Sequence, residues 1–152
     1  TKLIRDGRAI AAGDVFRFKA EDERCAIIDN EKATGQKMLL VKAGFNEWPA
    51  RLLSEDIGYV PGMKFDVRFR IKADKASVPP SGKFNIGIYD EGRKGTIRGV
   101  SVDVATLSDD WTKVRLGEWE IRPGQYIYLN NPSTVPMLVG AVGLRRTDES
   151  AK

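Results

Sequence analysis

Apolar and charged residues alternate without interruption along residues 63–73. Such alternation is typical of an antiparallel strand that buries one face and exposes the other to water. We therefore predict a strand here, with Phe69 at the middle of its buried face. The apolar positions are Met63, Phe65, Val67, Phe69, Ile71 and Ala73.

Shorter runs with similar patterning recur along the chain, and clusters of Gly, Pro, Asn, Asp and Ser separate them. No segment shows the 3.6-residue period of an amphipathic helix of ordinary length, although residues 46–56 have room for one helical turn. Many short strands with Gly- and Pro-rich turns are typical of a sandwich or a barrel, and we predict an all-β, antiparallel two-sheet β-sandwich. The further predicted strands lie at 15–19, 25–29, 37–41, 84–88, 100–104, 112–116, 126–129 and 137–145.

The chain has 152 residues, 41% hydrophobic and 30% charged, which fits a single domain over residues 1–152. It contains no apolar run near the ~18 residues that a membrane-spanning helix needs, so we expect no membrane partner. The net charge of +4 favours anionic partners slightly. Because basic and acidic residues are interspersed, we expect no nucleic-acid partner, whereas an acidic polysaccharide is compatible.

The chain contains no histidine and one cysteine, Cys25. An internal disulfide is therefore excluded, and the apolar neighbours of Cys25 predict a buried thiol. Without histidine, the commonest general base and most zinc sites are absent. Acidic pairs such as Glu118 and Glu120 exist, but nothing in the sequence indicates the separation that glycoside hydrolysis requires. We predict that the protein is not an enzyme.

Three segments together resemble a known family of jelly rolls. Residues 18–22 followed by 33–39 are similar to its opening motif, residues 59–72 to its long central strand, and residues 109–124 to a Trp-containing hairpin. The family is that of the galactose-binding-like jelly-roll carbohydrate-binding modules, families six and thirty-five in particular. The resemblance implies a secreted or cell-surface module of a larger protein, one that binds a polysaccharide or oligosaccharide and targets an attached catalytic domain to it.

The same resemblance implies a structural calcium ion. In those families an opening glutamate and an aspartate early in the last strand hold the ion. Glu21 and Glu23 match the first half of that site, but residues 137–144 contain no carboxylate. Calcium takes six to eight oxygen ligands, some of them backbone carbonyls or waters, so both an altered site and a lost site remain open.

The first candidate sugar site is a predicted loop around Trp48. Gly44 and Pro49 indicate the loop, and a tryptophan there can stack on the apolar face of a pyranose. Asn46 and Arg51 would supply polar contacts. The alternative is that Trp48 packs over the end of the sandwich. The other two tryptophans are expected in the core, with the rim as an alternative for Trp119 alone.

Two further clusters are candidates. Tyr89 points outward by the period of two and leads into a Gly-rich, charged segment with Arg93, predicted as a long loop over residues 89–98. Tyr126 and Tyr128 share one face of a predicted strand that Asn131 follows. They predict an open platform for a sugar chain. The alternative for the first cluster is a loop that is only solvated and binds nothing. The alternative for the second is that the two tyrosines pack against side chains of a neighbouring strand.

These observations predict a non-catalytic carbohydrate-binding module. The alternative function is an accessory β-sandwich that contacts a neighbouring domain or a partner protein and has no sugar site. Aromatic rings accessible in a groove would favour the first, and a flat apolar patch of several hundred Å² would favour the second.

Overall fold

The structure, a computed structural model, describes residues 9–11, 17–18, 25–29, 37–54, 62–74, 79–108 and 110–147. The described residues include eleven strands and a turn of 3-10 helix, Val104–Thr106. None of them belongs to a helix long and apolar enough to cross a membrane. The strands are β1 (Ala9–Ala11), β2 (Arg17–Phe18), β3 (Cys25–Asp29), β4 (Lys37–Val41), β5 (Phe45–Leu53), β6 (Lys64–Ala73), β7 (Lys83–Asp90), β8 (Gly95–Asp103), β9 (Thr112–Glu120), β10 (Gln125–Asn131) and β11 (Met137–Arg146).

Two antiparallel sheets contain these strands. The six-stranded sheet has the order β3-β4-β11-β6-β9, and β1 also pairs with β11. The five-stranded sheet has the order β2-β5-β10-β7-β8. The predicted all-β, two-sheet sandwich is therefore confirmed. Neighbours within each sheet come from distant parts of the chain, so each face combines residues that are far apart in sequence.

The core lies between the sheets and consists of alternate residues from their strands. On β6, Phe69 is 1% exposed and lies opposite Val114 of β9 and Val142 of β11. On the other sheet, Ile88 and Ile127 are fully buried and face each other across β7 and β10. The predicted inward face of residues 63–73 is thus confirmed.

The segment around Trp48 is a strand, and the predicted loop is wrong. Residues 45–53 form β5, which pairs with β10 on one side and briefly with β2 on the other. Ala50 lies opposite Leu129 and Phe45 opposite Asn131, so the register shifts between them. A proline is tolerated in a strand at such an irregularity, because its missing N–H removes no regular ladder bond. Pro49 lies within this stretch.

The predicted long loop at residues 89–98 is also shorter than expected. The turn spans only residues 91–94, with Lys94 at a φ of 53°, and β8 begins at Gly95. β8 is an edge strand whose residues are mostly exposed. An exposed edge strand lacks the apolar alternation from which a strand is predicted, which explains the error.

The two tryptophans of the predicted hairpin differ in location. Trp119 is 1% exposed and donates its indole N–H to the side-chain oxygen of Gln125 at 2.8 Å. Trp111 is only half-buried and lies on the outer face of the six-stranded sheet, so its prediction as core is wrong. Gly140 explains this location, because a Cβ atom there would lie 2.9 Å from the Trp111 ring. The missing side chain leaves room for the ring outside the sheet.

Candidate functional site

The outer face of the five-stranded sheet brings together residues from three predicted clusters. Tyr126 of β10 lies opposite Tyr89 of β7 and Leu53 of β5, and Tyr128 lies opposite Gly87 and Arg51. Ile127 and Leu129, which alternate with the tyrosines, are buried in the core. The tyrosines therefore point away from the core. We call this surface the tyrosine face: Arg51, Asn85, Tyr89, Thr96, Ser101, Tyr126, Tyr128 and Asn130.

A stacked group forms one end of the tyrosine face. The rings of Tyr89 and Tyr126 have centroids 5.4 Å apart and planes tilted by 35°. The guanidinium of Arg51 lies 5.0 Å from the Tyr126 ring centroid, and its Nη1 lies 3.8 Å from Oε1 of Glu91. Burial raises the pKa of the Tyr126 phenol above its ordinary value, despite the opposing charge of Arg51. Tyr126 is thus a support, and the half-buried Tyr89 ring is the one presented to a ligand.

Tyr128 lies close against β7 in the centre of this face. A Cβ atom on Gly87 would come within 2.5 Å of the Tyr128 ring, so only glycine allows the ring to lie so close to β7. The Tyr128 hydroxyl is 3.0 Å from Oγ1 of Thr96 on β8. Gly99 lies opposite Gly87 on β8. Neither residue adds a side chain to the surface between Tyr128 and the sheet edge.

Amide and hydroxyl groups form the other end of the tyrosine face. The Ser101 hydroxyl donates to Oδ1 of Asn85 at 2.6 Å, and Nδ2 of Asn85 donates to Oδ1 of Asn130 at 2.7 Å. This chain of bonds fixes how the Asn85 amide is oriented. Asn130 was not predicted, although it continues the outward alternation of Tyr126 and Tyr128 and could have been found by that signal.

A buried polar contact connects the tyrosine face to the core. Nε2 of Gln125 donates to Oδ2 of Asp90 at 3.0 Å, while Oε1 of Gln125 accepts from the Trp119 indole. The bond from Gln125, followed by one from the Arg93 backbone, lowers the pKa of Asp90 below its ordinary value. The end of β7 next to Tyr89 is therefore held by an ionised carboxylate.

Two predicted site residues do not join the tyrosine cluster. Asn131 is fully buried on the opposite side of β10, where its Nδ2 donates to the carbonyls of Val41 and Val135. Consecutive strand residues face opposite ways, so Asn130 rather than Asn131 lies outward, and we correct the prediction accordingly. Arg93 is exposed in the turn after β7, where its backbone N–H donates to Asp90 at 3.1 Å.

The remaining predicted site residues lie partly or wholly outside the described part of the chain. Asn46 and Trp48 belong to β5, but their side chains are outside it. Glu21 and Glu23 lie outside it entirely. Among the residues that the structure describes, no group of three or more Asp, Glu, His or Cys could hold a metal ion, so this part alone does not fit calcium. Calcium binding stays a prediction.

A second concavity lies on the other sheet. A groove of about 610 Å³ runs over the outer face of the six-stranded sheet beside Trp111. Charged side chains dominate its lining, whereas rings and amides dominate the tyrosine face. The groove is large enough for a small ligand, but its tryptophan is already covered by Arg70, 5.3 Å from the ring centroid. For stacking on an uncharged ligand, the tyrosine face is the better candidate.

No protein-family model matches the sequence, and no curated protein matches it. Solved structures do match. One is the CBM22-1 xylan-binding domain of Xyn10C from Paenibacillus barcinonensis, with a TM-score of 0.59 and 15% identity, covering 94% of this chain and 95% of that domain. Another is the module CBM6cm-2 of Cellvibrio mixtus lichenase 5A in complex with cellotriose. It has a TM-score of 0.54 and 12% identity, and the match covers 93% of this chain and 98% of that module.

A third match belongs to a longer protein. It is the Clostridium thermocellum endo-1,4-beta-D-xylanase 10B, CBM22-1 and GH10 modules, complexed with xylohexaose. The TM-score is 0.59 and the identity 13%, over 96% of this chain and 29% of that one. This chain has the fold of these carbohydrate-binding modules. The predicted jelly-roll sandwich is thereby confirmed.

Proposed function

We propose that this protein is a non-catalytic carbohydrate-binding module that holds an uncharged glycan on its tyrosine face. The observation that carries the proposal is the arrangement of Tyr89, Tyr126 and Tyr128 on one sheet face beside the bonded row of Asn85, Asn130 and Ser101. The similarity to modules described as xylan-binding or as bound to cellotriose supports it, and makes xylo- and cello-oligosaccharides the first ligands to test.

The chemistry of this face suits a sugar ring. A pyranose has an apolar face that packs on an aromatic ring and a rim of hydroxyls that needs donors and acceptors. Tyr89 offers its ring, and within the described residues its hydroxyl has no hydrogen-bond partner. One N–H of the Asn85 amide is likewise unused there, because the other donates to Asn130. Preorganised groups of this kind bind with little loss of side-chain entropy.

The carboxylates near the tyrosine face favour binding over catalysis. A glycoside hydrolase needs one carboxylic acid with a raised pKa to protonate the leaving oxygen. The pKa of Asp90 is lowered, which keeps it ionised. Asp90 is therefore not suited to act as a general acid, in line with the proposal that the module is not an enzyme. The neighbouring Glu91 is exposed and lies 3.8 Å from Arg51.

The alternative, a protein-docking sandwich, receives less support. The large hydrophobic side chains that the described residues expose are Phe45, at 39%, and Ile97, at 41%. They belong to β5 and β8, which are separated by two strands and so lie about 14 Å apart across the sheet. Two separated side chains do not form the contiguous apolar patch that marks a protein interface.

We propose further that the module is attached to a catalytic domain and acts outside the cell or on its surface. The xylanase match, in which a module of this fold and a GH10 module belong to one protein, supports this arrangement. It is tested by the complete coding sequence, which should encode a glycan-active catalytic domain next to this one. A neighbouring domain with no such activity would contradict it.

We propose also that Glu21 and Glu23 contribute to a structural calcium site. An ion that binds only the folded protein stabilises it by mass action, so chelation should lower the melting temperature and added calcium should restore it. The variant Glu21→Gln/Glu23→Gln should melt at the chelated temperature and respond to neither treatment. A wild-type melting temperature unchanged by exhaustive chelation and by added calcium would contradict the proposal.

Calorimetric titration with xylohexaose and cellotriose tests the tyrosine face. The wild type should bind at least one of them, and Tyr89→Ala and Asn85→Ala should each weaken binding by about tenfold or more, equivalent to about 1.4 kcal/mol. Trp111→Ala is the control, because it removes a half-buried ring from the opposite sheet. The function is contradicted if the wild type binds no uncharged glycan on an array, or if Trp111→Ala abolishes binding and Tyr89→Ala does not.

A further inference from the structure

The outer face of the six-stranded sheet carries four positive charges in two neighbouring cross-strand pairs. Arg68 of β6 lies opposite Arg115 of β9, and Arg70 lies opposite Lys113. All four side chains are exposed. Like charges directly opposite each other on a sheet destabilise it, so this arrangement opposes folding unless something offsets the repulsion.

One of the two pairs is neutralised in part by a buried carboxylate. Asp66 is 4% exposed and accepts hydrogen bonds from Nε of Arg68 at 2.9 Å and Nε of Arg115 at 2.7 Å. A guanidinium has five N–H donors, and each of these bonds uses the single one at Nε. The bonds therefore fix both guanidinium groups while the outer donors, at Nη1 and Nη2, remain for a ligand.

The other pair has no such carboxylate. Among the described residues, none within ion-pair distance of Arg70 or Lys113 is acidic. Arg70 instead lies 5.3 Å from the ring centroid of Trp111, and that ring rests against Gly140. The tryptophan thus positions a guanidinium to which no described residue supplies a counter-charge.

The groove beside these cations is deep enough for a ligand because of small residues on β11. Ala141 lies opposite Arg70 and Gly143 opposite Arg68, and both line the groove of about 610 Å³. Arg145 lies further along the same groove, opposite Asp66. Four of its lining residues are cationic and two, Asp66 and Asp110, are acidic.

We propose that this basic face, formed by Arg68, Arg70, Lys113, Arg115 and Arg145, is a second binding site and takes a carboxylate-bearing polysaccharide. Guanidinium groups held in place match carboxylates with paired hydrogen bonds. The acidic groups in the groove, Asp66 and Asp110, can accept hydrogen bonds from the hydroxyls of a sugar chain. A single-stranded nucleic acid needs exposed rings for its bases, and Arg70 already covers Trp111. This site is separate in place and chemistry from the tyrosine face.

Lys113→Glu tests the second site without removing either arginine bonded to Asp66 or the Arg70 side chain itself. With polygalacturonate at low salt, the wild type should bind, and the variant should lose about tenfold or more in affinity. Because the introduced carboxylate would face Arg70, the melting temperature of the variant should stay the same or rise. Wild-type binding should weaken steeply as salt is added and should disappear with fully methyl-esterified polygalacturonate.

Lys42→Glu is the matched control. Lys42 is exposed directly after β4, whose residue Val41 lies opposite Met137, at the other end of β11 from Arg145. Lys42→Glu should change the affinity for polygalacturonate by less than about twofold, and so should Tyr89→Ala. The proposal is overturned if the wild type does not bind polygalacturonate at low salt, or if Lys42→Glu weakens binding as much as Lys113→Glu. Tighter binding of a single-stranded oligonucleotide, lost in Lys113→Glu, would overturn it in favour of nucleic acid.

Discussion

The two outer faces of this sandwich are built alike but differ in chemistry. On each, an aromatic ring lies over a glycine of another strand: Tyr128 over Gly87 of the neighbouring β7, and Trp111, just before β9, over Gly140 of β11, two strands away. On the five-stranded sheet the neighbours are tyrosines, amides and hydroxyls. On the six-stranded sheet they are arginines and a lysine, and one arginine covers the ring itself.

This difference shows that the sandwich does not decide the chemistry of each outer face. The same alternation of strand residues produces both surfaces and buries one common core between them. The outward positions carry this chemistry, and they differ between the two faces without disturbing that core. Ligand binding on one face should therefore be separable from binding on the other, whereas damage to the core should affect both.

The core variant Phe69→Ala should have the largest effect. Phe69 is 1% exposed between the two sheets, and truncating a buried phenylalanine costs about 3–5 kcal/mol. When Phe69→Ala is heated, binding of the uncharged glycan and binding of polygalacturonate should be lost at the same temperature. Phe45→Ala, at a ring that is 39% exposed, is the control and should cost much less in chemical denaturation. An unchanged denaturation midpoint for Phe69→Ala would show that the wrong face of β6 has been placed inward.

Alanine at the glycine beneath each ring should have the next largest effect and should separate the faces. In Gly87→Ala the new Cβ would lie 2.5 Å from the Tyr128 ring, which must move and leave Thr96. Overpacking of this kind costs about 1–3 kcal/mol, and we expect oligosaccharide binding to weaken while polygalacturonate binding is kept. Gly140→Ala, at 2.9 Å from the Trp111 ring, should have the reverse effect.

Each of these variants has a matched glycine on the same sheet. A Cβ on Gly99 would have its nearest atom at 3.5 Å, and one on Gly143 at 4.0 Å. Alanine fits at both, so the melting temperatures of Gly99→Ala and Gly143→Ala should be kept or slightly raised. If all four variants lose stability equally in calorimetry, close packing of the rings over the glycines is not what distinguishes these positions.

The smallest effect concerns pH and the end of the tyrosine face. The pKa of Asp90 is lowered in the folded protein by Gln125 and by the Arg93 backbone. The stability it contributes is therefore present above the unfolded pKa of about 3.9 and is lost as the pH falls through the lower, folded value. Melting curves of wild type and Asp90→Asn should differ at pH 7 and converge at strongly acidic pH. A constant difference between them across this range would contradict that role.

The sequence was sufficient to predict which residues of a strand point outward. The period of two identified Tyr89, Tyr126 and Tyr128 as outward-facing, and the same rule applied one step further finds Asn130 in place of Asn131. It could not show that β7 and β10 are neighbours. That pairing depends on contacts between residues more than 30 positions apart, such as Tyr89 with Tyr126.

Other features of the two outer faces were predicted in different surroundings or not predicted at all. Arg51 reaches the tyrosine face because residues 45–53 form a strand despite Pro49, which local turn chemistry argues against. Trp111 was expected in the core because the resemblance to the jelly-roll modules implies a core tryptophan at this position. Its actual location depends on Gly140, a residue almost 30 positions away that leaves the space. The basic face depends in the same way on pairing between β6 and β9.

The most direct test of where an uncharged glycan binds is an amide chemical-shift titration of the wild-type protein with xylohexaose, repeated with cellotriose. We predict that the shifts with the bound sugar concentrate at Gly87, Tyr89 and Tyr128, on the tyrosine face. The amides of Arg70 and Lys113, on the opposite sheet, should not respond. Shifts confined to Arg70, Lys113 and their neighbours, with none at Tyr89 or Tyr128, would contradict the account.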